Sequence, residues 1–178
     1  MPGESGLIVL DWHNGNRSVL SDSNLKGCVF GMSLQTTHEE LYRAYLEATA
    51  FGTKMIMQQY QSWNMDVEDV FACGGIPKKN PLMMDIYANV LNKKVTIIDS
   101  EYAPAIGAAI LGSVCGGAHQ TLNEAIESMK EPVLYEVTPD PEKVKRYKKL
   151  FSAYKELHDI HGYKKARIMR NVGKLMEV

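Results

Sequence analysis

The sequence predicts an α/β layer with a parallel portion of sheet, and three observations carry that prediction. Thr37-His38-Glu39-Glu40 is a capping box that opens a long stretch of 3.6-residue apolar periodicity. Short apolar runs follow at 67–73 and 94–98, the second rich in β-branched residues. Each run is followed by another helical segment, so from residue 37 onward the order is helix, strand, helix, strand, helix. That alternation is the signature of helices packed on a partly parallel sheet.

The first third is mixed. Gly6 to Asp11 fits a short buried strand or a helix end, since periodicity cannot separate the two over six residues. Asp11-Trp12-His13-Asn14-Gly15-Asn16-Arg17-Ser18 is dense in turn formers and suits a docked structural loop or a ligand-facing one, the former being the commoner case. A second turn spans Asp22 to Gly27, and Cys28 to Met32 is a short apolar stretch closed by glycine.

The capping box then starts a helix predicted over 37–63, with Leu41, Ala44, Tyr45, Ala48, Phe51, Met55, Ile56 and Tyr60 on one stripe. Glu47 falls on or beside that stripe and reads as a rim carboxylate. The strand at 67–73 ends in Gly74-Gly75-Ile76-Pro77-Lys78-Lys79-Asn80-Pro81, which reads as a tight backbone turn leading into a helix N-terminus. The helix that follows runs from Pro81 to about Asn92, with Leu82, Ile86, Val90 and Leu91 inward.

After the strand at 94–98 comes a small-residue helix from Ala103 to about Gly112, where Gly107 and Ala108 would let a backbone pack close. Gly116-Gly117 stops it, and Thr121 caps a short helix to about Met129. Thr138-Pro139-Asp140-Pro141 opens a last amphipathic helix, with Val144, Tyr147, Phe151, Tyr154 and Leu157 on one face, ending near His161-Gly162. Residues 163–178 have weak pattern and read as a basic, partly ordered tail after a domain spanning 1–162. Two clear strands are too few for a stable sheet, so either the first third adds strands or the chain is part of a larger protein. The second is the expectation.

Composition restricts the function classes. The 178 residues are 45% hydrophobic and 23% charged, with a formal net charge of −1, which demands neither nucleic acid nor membrane. No apolar run approaches the roughly 20 residues of a membrane-spanning helix, and the first six residues do not read as a signal peptide. Cys28, Cys73 and Cys115 read as buried thiols, so a cytoplasmic setting is expected. Residues 143–174 hold 11 of the 20 Lys and Arg residues, read as a solvated helix face with a loose tail in preference to a nucleic-acid surface.

No catalytic set stands out. The five histidines lie in turns or at helix ends without metal spacing, and His158 with His161 reads as a surface pair. Walker, Gly-x-Gly-x-x-Gly, Gly-x-Ser-x-Gly and Cys-x-x-Cys motifs are missing. The glycine turn at 74–75 is the remaining functional signal. Alone it is weak, since paired glycines after a strand often only make the turn.

Several phrases together resemble the FGGY family of carbohydrate kinases, within the actin/sugar-kinase superfamily. Gly27 to Met32, seven residues, then Glu40 to Glu47 is similar to the family's second signature, with Tyr45 departing from the small or aliphatic residue expected there. Gly74-Gly75, a short spacer and Asn80-Pro81 resemble its adenosine segment, the spacer being one residue longer than in glycerol or xylulose kinases. Ala105 to Ala109 resembles its helix after the last strand. Leu10 to Ser18 and the Ile76-Pro77-Lys78-Lys79 spacer are similar to the ribulokinase branch of the family.

The resemblance implies an actin-like ATPase (ribonuclease H-like) fold and the distal part of the carboxy-terminal, nucleotide-binding domain of a sugar kinase. It implies ATP with Mg²⁺ as cofactors and a pentulose, L-ribulose, as substrate. Gly74, Gly75, Ile76 and Asn80 are implied to hold nucleotide, and Lys78 and Lys79 read as solvated in preference to a phosphate role. The family's phosphate loop and catalytic Asp match nothing in this chain, so the chain alone is expected to be inactive and Mg²⁺ to be held mainly by residues elsewhere. Nucleic-acid and membrane partners are not expected, and self-association through an exposed sheet edge stays open. The alternatives are another kinase of the family (xylulose, ribitol or D-ribulose type) and a non-catalytic α/β interaction module.

Overall fold

Helix α1 (His38–Ser62) is the longest element of the structure, a computed structural model that describes residues 3–174. Its start is built as expected. The Glu40 amide donates to Thr37 Oγ1 at 3.3 Å, and the Thr37 amide donates to Glu40 Oε2 at 3.0 Å. Ala44, Ala48, Ala50, Phe51 and Met55 are buried. Ala50, Phe51 and Met55 pack against α3 (Pro81–Leu91) and α6 (Pro141–Asp159), while Ala44 and Ala48 pack against Leu7 and Val9.

Helix α3 has two covered faces. Ile86, Val90 and Leu91 join Phe51, Tyr147 and Tyr154 in one cluster, while Met84 and Ala88 lie under Val95 and Ile97 of the sheet. Leu82, expected inward, is 42% exposed. It sits in the first turn, beyond the reach of both clusters, where it lines a shallow recess with Glu4 and Tyr42.

The sheet holds β3 (Val70–Ala72), β4 (Val95–Ile98) and β5 (Val133–Val137) in that order. The β3–β4 pair is parallel, Val70 opposite Val95, as the alternation predicts. Strand β3 is shorter than the run at 67–73, because its partner begins only at Val95. Strand β5, antiparallel to β4, has no counterpart in the sequence reading. Only Tyr135 and Val137 pack on the core while Val133 and Leu134 are exposed, so its alternation is too short to mark a strand in the sequence.

Residues 6–11 resolve as a strand. Strand β1 (Ile8–Leu10) pairs antiparallel with β2 (Cys28–Phe30), with Val9 and Leu10 buried under α1 and α6. The loop after β1 is docked: Trp12 is buried, with its ring edge-on to His158 at 5.4 Å between centroids. His158 itself is fully buried beside Tyr154, so it is no member of a surface pair. The last helical turn of α6 faces the loop that carries Trp12, a long-range contact that local spacing does not reveal.

Glu47 is likewise not a rim group. It is 2% exposed, accepting from Arg43 Nε at 3.0 Å and from the Tyr147 hydroxyl at 3.0 Å, with Arg43 also donating to that hydroxyl. A buried carboxylate persists only when paired and hydrogen-bonded in this way. Burial, reinforced by the Glu47 charge, holds the Tyr147 phenol well above its ordinary range.

Beyond α6 the chain continues through a π-helical turn (Ile160–Lys164) into α7 (Ala166–Lys174), where the sequence has only weak pattern. Ala166 and Met169 enter the core, and Arg170 pairs with Asp22. Residues 175–178 of the expected tail, and Met1-Pro2 of the amino terminus, lie outside the described residues. The thiols also differ from expectation, with Cys73 and Cys115 exposed and Cys28 half-buried. Cys73 stands past the end of β3, and Cys115 ends α4 (Ala103–Cys115), a helix with no buried residue. Among the described residues no helix is long and apolar enough to cross a membrane.

Candidate functional site

Strand β3 ends at Ala72 and the backbone reverses at Gly74, whose φ is 96°. A side chain adopts that conformation only under strain, which is why glycine stands there. The Gly74 amide donates to the Ser100 carbonyl at 2.7 Å, tying the turn to the segment just after β4. A Cβ added at Gly74 or Gly75 would meet nothing within 4 Å. Packing within the chain therefore leaves this backbone bare and facing open space.

Gly75 begins a short helix, α2 (Gly75–Lys79), which is held from several sides. The Tyr135 hydroxyl of β5 donates to the Pro77 carbonyl at 2.8 Å. Lys78 pairs with Asp99 at 2.6 Å and lies 3.7 Å from Glu101. It is thus a tether to the loop after β4 rather than a solvated cation, and the Asp99 hydrogen bond raises its ammonium pKa. Lys79 remains exposed.

Asn80 ends α2 and begins α3. Its Oδ1 accepts from the Met83 amide at 3.0 Å, a side-chain N-cap, and its Nδ2 reaches the Tyr42 hydroxyl of α1 at 3.5 Å. The asparagine thereby fixes the start of α3 against α1. Ile76 is 65% exposed beside this junction. Together Gly75, Ile76 and Asn80 line an open groove of about 710 Å³ whose other walls include Tyr42, Leu46 and Met83.

Of the four residues chosen from the sequence, three face one groove and Gly74 is the hinge that precedes it. Tyr42 and Leu46 carry no such signal in the sequence. They are one helical turn apart on α1, but only the packing of α1 against α3 brings them opposite the glycine turn. The arrangement offers bare backbone, an uncovered apolar side chain and an amide edge, which suits a flat, partly apolar ligand approaching closely. A Cβ added at Gly107 also meets nothing within 4 Å, so the close packing expected of that helix is not made within this chain. Among the described residues no group of three or more His, Cys, Asp or Glu side chains is gathered to hold a metal ion.

The profile described as the FGGY family of carbohydrate kinases, C-terminal domain, matches residues 2–115. Ribulokinase of Staphylococcus aureus (strain Newman) is 75% identical over 175 residues, covering 98% of this chain and 32% of that protein. The chain thus spans about a third of the length of the curated relatives it matches. Xylulose kinase from Rhodospirillum rubrum superposes with a TM-score of 0.77 at 25% identity, over 90% of this chain and 32% of the other. Ligand-bound xylulose kinase from Lactobacillus acidophilus superposes with a TM-score of 0.80 at 22% identity, over 94% and 34%, and this likeness bears on fold alone. The mixed sheet with its flanking helices is accordingly part of an actin-like ATPase domain, as expected from the sequence.

Proposed function

The chain belongs to the FGGY family of carbohydrate kinases, and from that membership we propose that it forms the nucleotide-holding wall of an ATP-dependent kinase that converts L-ribulose to L-ribulose 5-phosphate. The observation that carries the reading is the empty space over Gly74 and Gly75, beside an uncovered Ile76. The similarity to a protein named ribulokinase, over 98% of this chain, supports the choice of sugar. The setting we assign is the cytoplasm.

The residues present fit an adenosine group. Backbone at Gly74 and Gly75 admits the nucleotide to a distance that any side chain would deny it. Ile76, with Tyr42 and Met83 nearby, gives an apolar surface for the base, and Asn80 presents its amide edge at the helix start. When bound, ATP supplies the phosphoryl group that passes to the terminal sugar hydroxyl. The base that takes the hydroxyl proton, and the ligands of Mg²⁺, are assigned to residues outside this chain. Residues 1–162 are assigned to the distal part of the nucleotide-binding domain, with the basic segment 163–178 appended.

In the full-length protein, Gly75→Val fills the space over the turn and Asn80→Ala removes the cap and the amide edge. Each is expected to raise KM for ATP by about tenfold or more, the weight of a lost close contact, with KM for L-ribulose nearly unchanged. An unchanged ATP KM in both variants overturns the assignment. The 178-residue chain alone is expected to show no turnover of L-ribulose with ATP, since phosphoryl transfer needs base, metal and donors together.

A further inference from the structure

The basic end of the chain takes no part in the site above, yet it builds a second concavity. A pocket of about 740 Å³ lies between the loop at 20–26 and the start of α7. Three cations line it, Lys26, Arg167 and Arg170, against one carboxylate, Asp22. That carboxylate is already occupied, accepting from the Asn24 amide at 2.9 Å and from Arg170 Nε at 2.8 Å. Lys26 and Arg167 have no hydrogen-bond or ion-pair partner among the described residues.

The floor is built, too. Leu20 lies against Gly162, where a Cβ would come within 2.5 Å of a Leu20 methyl, and Tyr163 stands exposed at the edge. Arg170 is oriented by Asp22, which holds the wall in place and leaves part of its guanidinium fork free. Uncompensated positive charge from two distant parts of the chain, in a concave site with an aromatic edge, is an arrangement that attracts a compact anion.

We propose that this pocket binds a small soluble phosphate monoester. Arginine forks match phosphate oxygens in pairs, and a lysine adds a point charge. Three cations line one concavity and one of them is already paired, which argues against nucleic acid, whose binding needs a track of phosphate contacts. The site is separate from the glycine turn. Tyr163 also borders a groove lined by Gln59 near the end of α1, whereas Tyr42 of the candidate nucleotide groove is near its start. Along a helix that separation is about 25 Å.

The test is calorimetric titration of the 178-residue chain with inorganic phosphate and with ribose 5-phosphate. The Lys26→Gln/Arg167→Gln double variant is compared with Lys148→Gln/Lys149→Gln, which removes the same charge from exposed positions of α6 outside the pocket. Circular dichroism must match the parent in both, and Arg167→Gln alone serves if the double variant does not fold. The pocket variant is expected to weaken ribose 5-phosphate binding by about tenfold or more, and the α6 variant by less than about twofold, given the strength of charge-assisted hydrogen bonds. Equal weakening in both, or no binding to the parent, overturns the proposal. So does a single-stranded oligonucleotide that displaces ribose 5-phosphate and binds more tightly.

Discussion

Helices α3 and α4 have similar raw material, small and aliphatic residues with a proline in the first turn, and opposite fates. Six residues of α3 are buried between α1, α6 and the sheet. In α4 none is buried, and Leu111 stays 59% exposed. Its chief neighbour is α5 (Leu122–Met129), which also leaves Leu122 and Ile126 exposed. The difference is one of partners. An apolar face gains free energy only when another surface removes it from water, and within this chain α3 has three such surfaces.

The contrast predicts where substitutions are felt. The sharpest test pairs Phe51→Ala with Leu111→Ala in urea denaturation. Phe51 meets Tyr147, Phe151 and Tyr154 in the covered cluster, and its loss is expected to cost about 3–5 kcal/mol. Leu111→Ala, on the open side, is expected to change stability by less than about 0.5 kcal/mol. Comparable costs at the two positions would break the comparison.

A smaller effect sharpens it. Thr37 and Thr121 are both side-chain N-caps, of α1 and α5 respectively. Each Thr→Ala change removes about 1 kcal/mol of local helix stability. For Thr37 that loss should lower the global unfolding free energy, because α1 lies in the common core. For Thr121 it should appear only as faster amide exchange within α5.

The mildest effect near neutrality comes from His158. Burial lowers its pKa, the hydrogen bond that Asp159 accepts from the ring opposing and the Lys155 charge adding to the shift. The folded state therefore favours the neutral ring more than the unfolded chain does. The stability this contributes is present above the unfolded value of about 6.5 and is lost as pH falls from there toward the folded value. His158→Phe should leave stability nearly unchanged at pH 8 and flatten the slope below about pH 6.5. An unaltered slope would show that other groups carry the acid response.

The sequence by itself determined what depends on near neighbours. The capping box of α1, the β-branched strand β4, the helices after each strand and the positive φ at Gly74 all follow from residues within a few positions of one another. The phrases at 27–47 and 74–81 were sufficient to point to the family. Tertiary structure alone decided what depends on distant pairing. Strand β5 forms because β4 offers its edge, Glu47 is buried because Tyr147 reaches it from α6, and α7 folds where Met169 meets the sulfur of Cys28. The same holds at the groove, where Tyr42 and Leu46 face Ile76 only because α1 packs on α3. Local backbone preference acts over a few residues, whereas burial is set by whichever surface the whole chain brings opposite.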